Sequence, residues 1–442
     1  MDIHYSVDYY WMDKTGKKVA FNEFNYPDLA SAVTAMDDLK NKTGGLFARD
    51  TIYEDIKFLK AQYLIDNIED AFKVWKTSTA KDIPFNDFCE YVLPYRATVE
   101  PVQDWRSAYH AKYKWISDSL KNKPLETVLA YAGIDYKEWF TFTYGKEVRS
   151  DPLPRLGAQH LLFRKKGACE DVTALEVFTF RSQGSPVSYN IVPLWATSMG
   201  THFLNTVFDA GMKPIRLDLT TPAVVNHELP REPAKVLRLT YSKQPGTLAA
   251  IEQPENIPGG FMQTTNYIDI TNEYWSTADV SFNLFPTPKA PSTVYACMFS
   301  GGEWQPVWWG KALNGTVRFS TMPKGTAILP AYYLNGTLKP AAFPKVNGFN
   351  NELLLKPDLS NKRNVKIEEQ ERYLIFRPGK KYELYYWDND WVLVGEQTAP
   401  DNSKELVFAN VPGNALMLLI PEYSEGRERP FIITADNKRY WW

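Results

Sequence analysis

The stretch Gly167-Ala168-Cys169-Glu170-Asp171 decides how this chain is read. Beyond it Val172, Leu175 and Phe178 recur at three-residue spacing, the stripe of a helix from about Cys169 to Gln183. Gly184 stands where a left-handed C-terminal cap belongs. Val187, Tyr189 and Ile191 then alternate as a strand. After a loop through Trp195 and Gly200, two more strand-like runs follow, His202 to Phe208 and Met212 to Leu219. A helix followed by antiparallel strands predicts an α+β core.

Cys169 opens that helix. A thiol at a helix N-terminus has its thiolate stabilised by the macrodipole and by backbone N–H groups. The same N–H groups can hold the oxyanion of an acyl-transfer intermediate. A thiolate nucleophile also needs a base, and the base an orienting group. His202 begins its strand, and the turn Asp209-Ala210-Gly211 reads as a three-residue hairpin loop with Gly211 left-handed. That turn pairs Phe208 with Met212 and sets Asp218 directly opposite His202, where Cβ atoms lie roughly 4.5–5.5 Å apart. Pro214 cannot donate to the ladder, so this register asks for a bulge or an edge position there. Taken singly, each residue has a structural explanation: a helix-start thiol, a satisfied strand histidine, a turn aspartate. All three in this order favour a Cys169-His202-Asp218 triad.

The flanking sequence has a different grammar on each side. From Tyr26 to about Phe140 the pattern is helical. Ile52, Ile56, Leu59, Tyr63, Leu64, Ile68, Ala71, Phe72 and Trp75 predict one long amphipathic helix. Phe85, Phe88, Cys89, Tyr91 and Val92 predict a second before Pro94, and Trp105, Tyr109, Tyr113 and Ile116 a third. Ser150 to Gly157 is turn-rich. Thr220 to Pro233 holds Pro222, Pro230 and Pro233 and reads as a linker. Beyond it Leu237, Leu239 and Tyr241 alternate, and Asn314-Gly315 and Asn335-Gly336 are strong hairpin signals. Tyr382 to Trp387 and Trp391 to Gln397 flank a further turn at Asp388-Asn389-Asp390. The expected organisation is a helical region plus core over residues 1–232, the core from about 106. Two all-β sandwich modules follow at 233–362 and 363–442, with a boundary near Ser360 to Asn364.

Composition narrows the function classes. The 442 residues carry 50 Lys plus Arg against 52 Asp plus Glu, a net charge of −2, so nothing argues for nucleic acid or an anionic membrane surface. No stretch approaches the ~20 apolar residues of a membrane-spanning helix. Met1-Asp2-Ile3-His4 lacks the basic and apolar regions of a signal peptide. Cys89, on an apolar helical face, and Cys297, in Val294-Tyr295-Ala296-Cys297-Met298-Phe299, read as packing thiols. His4, His110, His160 and His227 are scattered singly, and no glycine-rich phosphate loop occurs, so neither a metal nor a cofactor is expected. Trp304, Trp308, Trp309, Trp441 and Trp442 read either as a sugar-stacking platform or as packing within and between β modules.

Four segments together resemble the transglutaminase-like (papain-like cysteine enzyme) superfamily: Gly167 to Asp171, Phe180-Arg181-Ser182-Gln183-Gly184-Ser185-Pro186-Val187, Gly200-Thr201-His202, and Leu217-Asp218. The family pattern is a Gly-x-Cys helix start, an Arg-x-x-Gly-Ile-Pro helix end, a Gly-His-x-Trp strand and a final Asp. Phe88-Cys89-Glu90-Tyr91-Val92-Leu93-Pro94-Tyr95-Arg96 and the aromatic β tail are similar to multi-domain members from gut Bacteroidetes with C-terminal β-sandwich modules, which are usually exported. The motifs cover about fifty residues. The resemblance implies Cys169 as nucleophile, His202 as general base and acid, and Asp218 as the orienting carboxylate. Here Ser185 replaces the Ile, Thr201 separates Gly200 from His202, and Leu204 stands where the family has its aromatic, with Phe203 beside it. Phe203 and Trp195 are the candidate substrate-binding aromatics, and Trp195 reads equally well as a core residue. The expected activity is cysteine-dependent acyl transfer, with hydrolysis of a peptide or amide bond in a peptide, protein or glycopeptide favoured over cross-linking. The alternative is a non-catalytic surface protein, binding carbohydrate or peptide, in which the core is a relic.

Overall fold

The computed structural model describes residues 4–143, 156–221, 224–371 and 373–441. The chain is α+β with a β-rich C-terminal region. Most of the turn-rich stretch predicted at Ser150 to Gly157 lies outside the described residues, as does Trp442.

At the centre runs the cysteine helix, Cys169–Ser182, in which every residue from Asp171 to Ser182 is buried. Its ends explain its sequence. A Cβ on Gly167 would stand 2.5 Å from the Asp171 Cβ, so only glycine fits below the first turn. Ala168 has no side-chain acceptor to offer, but the Asp171 carboxylate accepts its backbone N–H at 2.8 Å, one half of a capping box. At the other end the Gly184 N–H donates to Arg181 O at 3.1 Å and the Ser185 N–H to Phe180 O at 3.0 Å. That is a Schellman motif, and Gly184 takes the required positive φ of 74°.

The helix packs on a five-stranded antiparallel sheet whose order is Tyr267–Asp269, Leu237–Leu239, Val187–Val192, His202–Phe208, Pro214–Leu217. Val172, Leu175, Phe178, Val187, Tyr189, Val207, Ile215 and Leu217 belong to one apolar cluster between helix and sheet, joined by Tyr109 and Tyr113 from the helix Arg106–Ser119 and by Trp105 at its N-cap. The Asn314-Gly315 and Asn335-Gly336 hairpins and the Asp388–Asp390 turn form as expected. Asn314, Gly315, Asn335 and Gly336 all have positive φ, as type I′ turns require.

Several expectations are corrected. Ile52 lies in the strand Leu46–Glu54, which pairs antiparallel with Tyr5–Asp13, and Ile56 is 92 % exposed, so the predicted long helix begins only at Ala61 and ends at Thr77. Two adjacent strands of the core sheet, at 237–239 and 267–269, come from beyond the break placed at residue 233. The stretch Thr220 to Pro233 folds back on the core: Asp218 N–H donates to Val224 O at 2.9 Å and Ala196 N–H to Glu232 O at 2.9 Å. Residues 360–364 lie inside the strand Asp358–Glu368.

The C-terminal region is antiparallel throughout its named strands. An eight-stranded sheet spans strands from Thr277–Asn283 to Glu352–Leu354. A further pair of strands, Asp358–Glu368 with Glu405–Gly413, shares an apolar core with the five-stranded sheet built on Lys381–Trp387. Lys235 ties the core sheet to the first of these. Its buried Nζ lies 2.6 Å from Asp269 Oδ2, donates to Ser320 O and Thr321 O at 3.1 and 3.0 Å, and sits 4.1 Å over the Trp308 ring.

Candidate functional site

Cys169 sits at the first position of its helix, partly exposed. His202 sits at the first position of its strand, near enough to Cys169 that the thiol helps to raise its pKa. His202 Nε2 lies 2.8 Å from Asp218 Oδ2, so Nδ1 is the ring nitrogen that the carboxylate does not engage. The other carboxylate oxygen of Asp218 accepts the Thr220 hydroxyl at 2.6 Å and the Thr220 N–H at 3.0 Å. Burial alone would lower the His202 pKa, but the hydrogen bonds and charges of Asp218 and Cys169 outweigh it and raise it to about 9. Burial would likewise raise Asp218, yet the bonds from His202 and Thr220 hold it below the ordinary carboxylate range.

The route by which the strands bring His202 to Asp218 differs from the expected register. Phe208 pairs with Pro214, not Met212, and Asn205 with Leu217, so the ladder is shifted by two residues. The connection is the five-residue turn Asp209–Lys213, closed by Met212 N–H on Asp209 O at 3.0 Å and Asp209 N–H on Lys213 O at 3.1 Å. Met212, not Gly211, takes the positive φ, of 60°. A shift of two preserves the alternation of faces, so Asp218 stays on the side of His202 and reaches it diagonally. Pro214 is tolerated because its strand is the edge of the sheet.

Trp195 covers the imidazole. Its ring stacks on His202 with centroids 5.8 Å apart at 24°, and it is buried with Leu204, Val192, Val236 and Tyr274. Gly200, at φ 99°, makes the turn that closes Trp195 N–H onto Gly200 O at 3.3 Å, which is why Thr201 intervenes before His202. Phe203 turns to Tyr189, edge-on at 5.8 Å, and packs on the main core. Of the predicted site residues, then, Cys169, His202, Asp218 and Trp195 come together and Phe203 does not join them.

Two neighbours were not anticipated. Thr220 could have been found, since Asp-x-Thr is a local turn spacing in which the carboxylate accepts from the residue two places on. Glu176 carried no such signal. It lies on the cysteine helix, 2 % exposed, with the Leu219 N–H facing it and no well-formed hydrogen bond to either oxygen. Burial, and then the charge of Asp218, push it well above the ordinary carboxylate range.

The C-terminal face of the helix is held by buried guanidiniums. Arg181 donates to Arg96 O at 2.6 Å and Tyr91 O at 3.1 Å, and Arg106 to Val92 O and Leu93 O at 2.8 and 2.9 Å and Asn67 Oδ1 at 2.6 Å. Burial pulls Arg181 down to about 10 and Arg106 to about 9.

All three thiols are free. Cys297 is fully buried, and burial raises its pKa far above the ordinary thiol value. Cys89 is partly exposed, so it does not share that isolation. Trp308 packs under Lys235, Trp309 in the apolar cluster of Tyr295 and Leu329, and Trp441 on Phe431 with ring centroids 5.2 Å apart. Trp304 meets Trp387 edge-on at 5.4 Å beside an open cavity. Among the described residues no helix is long and apolar enough to cross a membrane. No family model and no curated protein matches the sequence.

Proposed function

We propose that this chain is a cysteine-dependent acyl-transfer enzyme of the transglutaminase-like class that hydrolyses a peptide or amide bond. The observation that carries the reading is the His202–Asp218 hydrogen bond, with a thiol at a helix start near enough to act on the imidazole. The Cys169 sulfur attacks the carbonyl carbon, and backbone N–H groups of the first helical turn receive the oxyanion. The C–N bond breaks as His202 Nδ1 gives its proton to the leaving amine, leaving a thioester. Water then adds to the thioester, His202 takes its proton, and the S–C bond breaks to free the acid. Asp218 keeps the imidazole oriented and balances its charge throughout. The motif resemblance supports a core of that class followed by β-sandwich modules, and supports export and a peptide, protein or glycopeptide substrate.

Alkylation by iodoacetamide at neutral pH, mapped by peptide, tests the nucleophile. Cys169 is expected to react well ahead of Cys89 and of the same thiol in the denatured chain. A Cys169 rate no higher than the denatured rate removes the reading.

A second reading, saccharide binding by the β-rich region, is favoured by one observation. Trp304 and Trp387 meet Glu303, Gln305, Asn389 and Asp390 around a cavity of about 680 Å³, within the usual size of small-ligand sites. Titration of the whole chain with cellohexaose, xylohexaose and chitohexaose, followed by tryptophan fluorescence, tests it; no change with any of the three eliminates it.

A further inference from the structure

Two side chains of the core sheet donate to carbonyls of the cysteine helix. Tyr189 and Asn205 stand directly opposite each other on neighbouring strands, so they share one face of the sheet. The Tyr189 hydroxyl donates to Glu170 O at 3.2 Å, and Asn205 Nδ2 to Thr173 O at 3.1 Å. Glu170 and Thr173 are three residues apart, which makes them neighbours on one side of the helix. The Thr173 hydroxyl in turn donates to Cys169 O at 2.8 Å. One cross-strand pair thereby holds the first turns of the helix that Cys169 opens, and Asn205 lies on the strand that His202 opens.

An apolar residue could fill the place of Asn205 at less expense. Asn205 is 1 % exposed, and its amide nitrogen makes a second bond, to Ser188 O at 3.0 Å. Its Oδ1 is buried without a hydrogen-bond partner, an unfavourable arrangement that leucine would avoid. What the amide supplies is direction. Apolar burial is non-directional, so the contacts of Val172, Leu175 and Phe178 hold helix to sheet without fixing how far the helix slides along its axis. Donated bonds to Glu170 O and Thr173 O do fix it. Phe203, the residue after His202, meets the Tyr189 ring edge-on at 5.8 Å and so steadies the tyrosine against the histidine strand.

We propose that Tyr189 and Asn205 are positioning residues that set the axial register of the Cys169 helix against the His202 strand, and with it the approach of thiol to imidazole. The proposal rests on the cysteine-hydrolase reading and adds to it two residues that act through the helix backbone.

The test applies iodoacetamide at neutral pH, histidine NMR titration and urea unfolding to the full chain. Asn205→Leu keeps the size of the side chain and removes both donated bonds. Tyr189→Phe keeps the ring against Phe203 and removes only the hydroxyl. Alkylation of Cys169 is expected to slow at least tenfold in Asn205→Leu and at least threefold in Tyr189→Phe. Should Asn205→Leu lower the urea midpoint, the milder Tyr189→Phe decides the matter. The His202 pKa, which the thiol helps to raise, is expected to fall in Asn205→Leu towards its value in Cys169→Ala. Once Cys169 is already alanine, Asn205→Leu is expected to shift it no further. An equal shift of His202 in both backgrounds means that the effect does not run through the thiol, and overturns the proposal. Wild-type alkylation rates in both variants overturn it as well and leave the hydrolase reading standing. Alkylation of Cys169 in the wild-type chain no faster than in the denatured chain removes the hydrolase reading itself.

Discussion

Asp218 divides its two carboxylate oxygens between His202, at 2.8 Å, and Thr220, at 2.6 Å. The aspartate is therefore clamped by its own turn as well as by the histidine. One consequence is that the imidazole's orientation depends on a three-residue segment beyond the end of the edge strand. Asp218→Asn is expected to return the His202 pKa from about 9 towards its ordinary value of 6.5 and to cost on the order of 10³–10⁴ in turnover, as loss of an orienting aspartate does in related triads. Histidine NMR titration of the variant checks the first part without any substrate. An unchanged His202 titration refutes it.

Thr220→Ala removes one hydrogen bond to the ionised Asp218 and leaves the His202 contact in place. The expected cost is about 1.5–3 kcal/mol of local stability, with Asp218 titrating closer to the ordinary carboxylate value. Carboxylate NMR titration of wild type and variant measures the shift.

His202 gives the fold a signed pH dependence. Its pKa in the fold, about 9, exceeds its ordinary value of 6.5. The stabilisation it brings is therefore complete below pH 6.5 and is lost as pH rises through about 9. Asp218, held low, contributes stability that is lost in the opposite direction, as pH falls through its depressed pKa. Urea midpoints between pH 6 and 10 should decline over that alkaline window in wild type and decline less in Cys169→Ala, which lacks the sulfur partner.

Glu176→Gln separates burial from charge. Burial raises the pKa of the carboxyl in the fold, so the folded state holds its proton to higher pH than the unfolded state does, and stability falls as pH rises above the ordinary carboxylate range. The neutral, equally sized glutamine escapes that loss. At pH 7 the variant is expected to be at least as stable as wild type, with a smaller gap at pH 4. A variant less stable than wild type at both values contradicts the assignment.

Gly167→Ala forces a Cβ to within 2.5 Å of the Asp171 Cβ. Overpacking of this kind costs about 1–3 kcal/mol, and it displaces the turn that positions Cys169. Slower alkylation of Cys169 together with a lowered urea midpoint is the expected pair of effects.

The sequence made the local parts of this architecture legible and the distant ones much less so. The cysteine helix was readable because its apolar spacing, its Gly167 start and its Gly184 cap are all neighbours in sequence. The Asn314-Gly315 and Asn335-Gly336 hairpins were readable for the same reason. Ile52 misled because its strand partner, Val7, lies far upstream, and its strand has no buried residue to mark a two-residue period. The His202–Asp218 contact was expected through a register two residues out, and it survives because an even slip preserves the face. Glu176 gave no signal at all, since what distinguishes it is burial without a well-formed hydrogen bond in three dimensions.

The core sheet takes two of its five strands, Leu237–Leu239 and the edge strand Tyr267–Asp269, from chain made after Cys169, His202 and Asp218. On a ribosome, Cys169, His202 and Asp218 all emerge before the strands that close the sheet beside them. At roughly 5–20 residues per second, the newborn chain spends several seconds with Cys169, His202 and Asp218 made and their sheet unfinished. A chain interrupted before residue 269 carries all three of these side chains on an incomplete sheet.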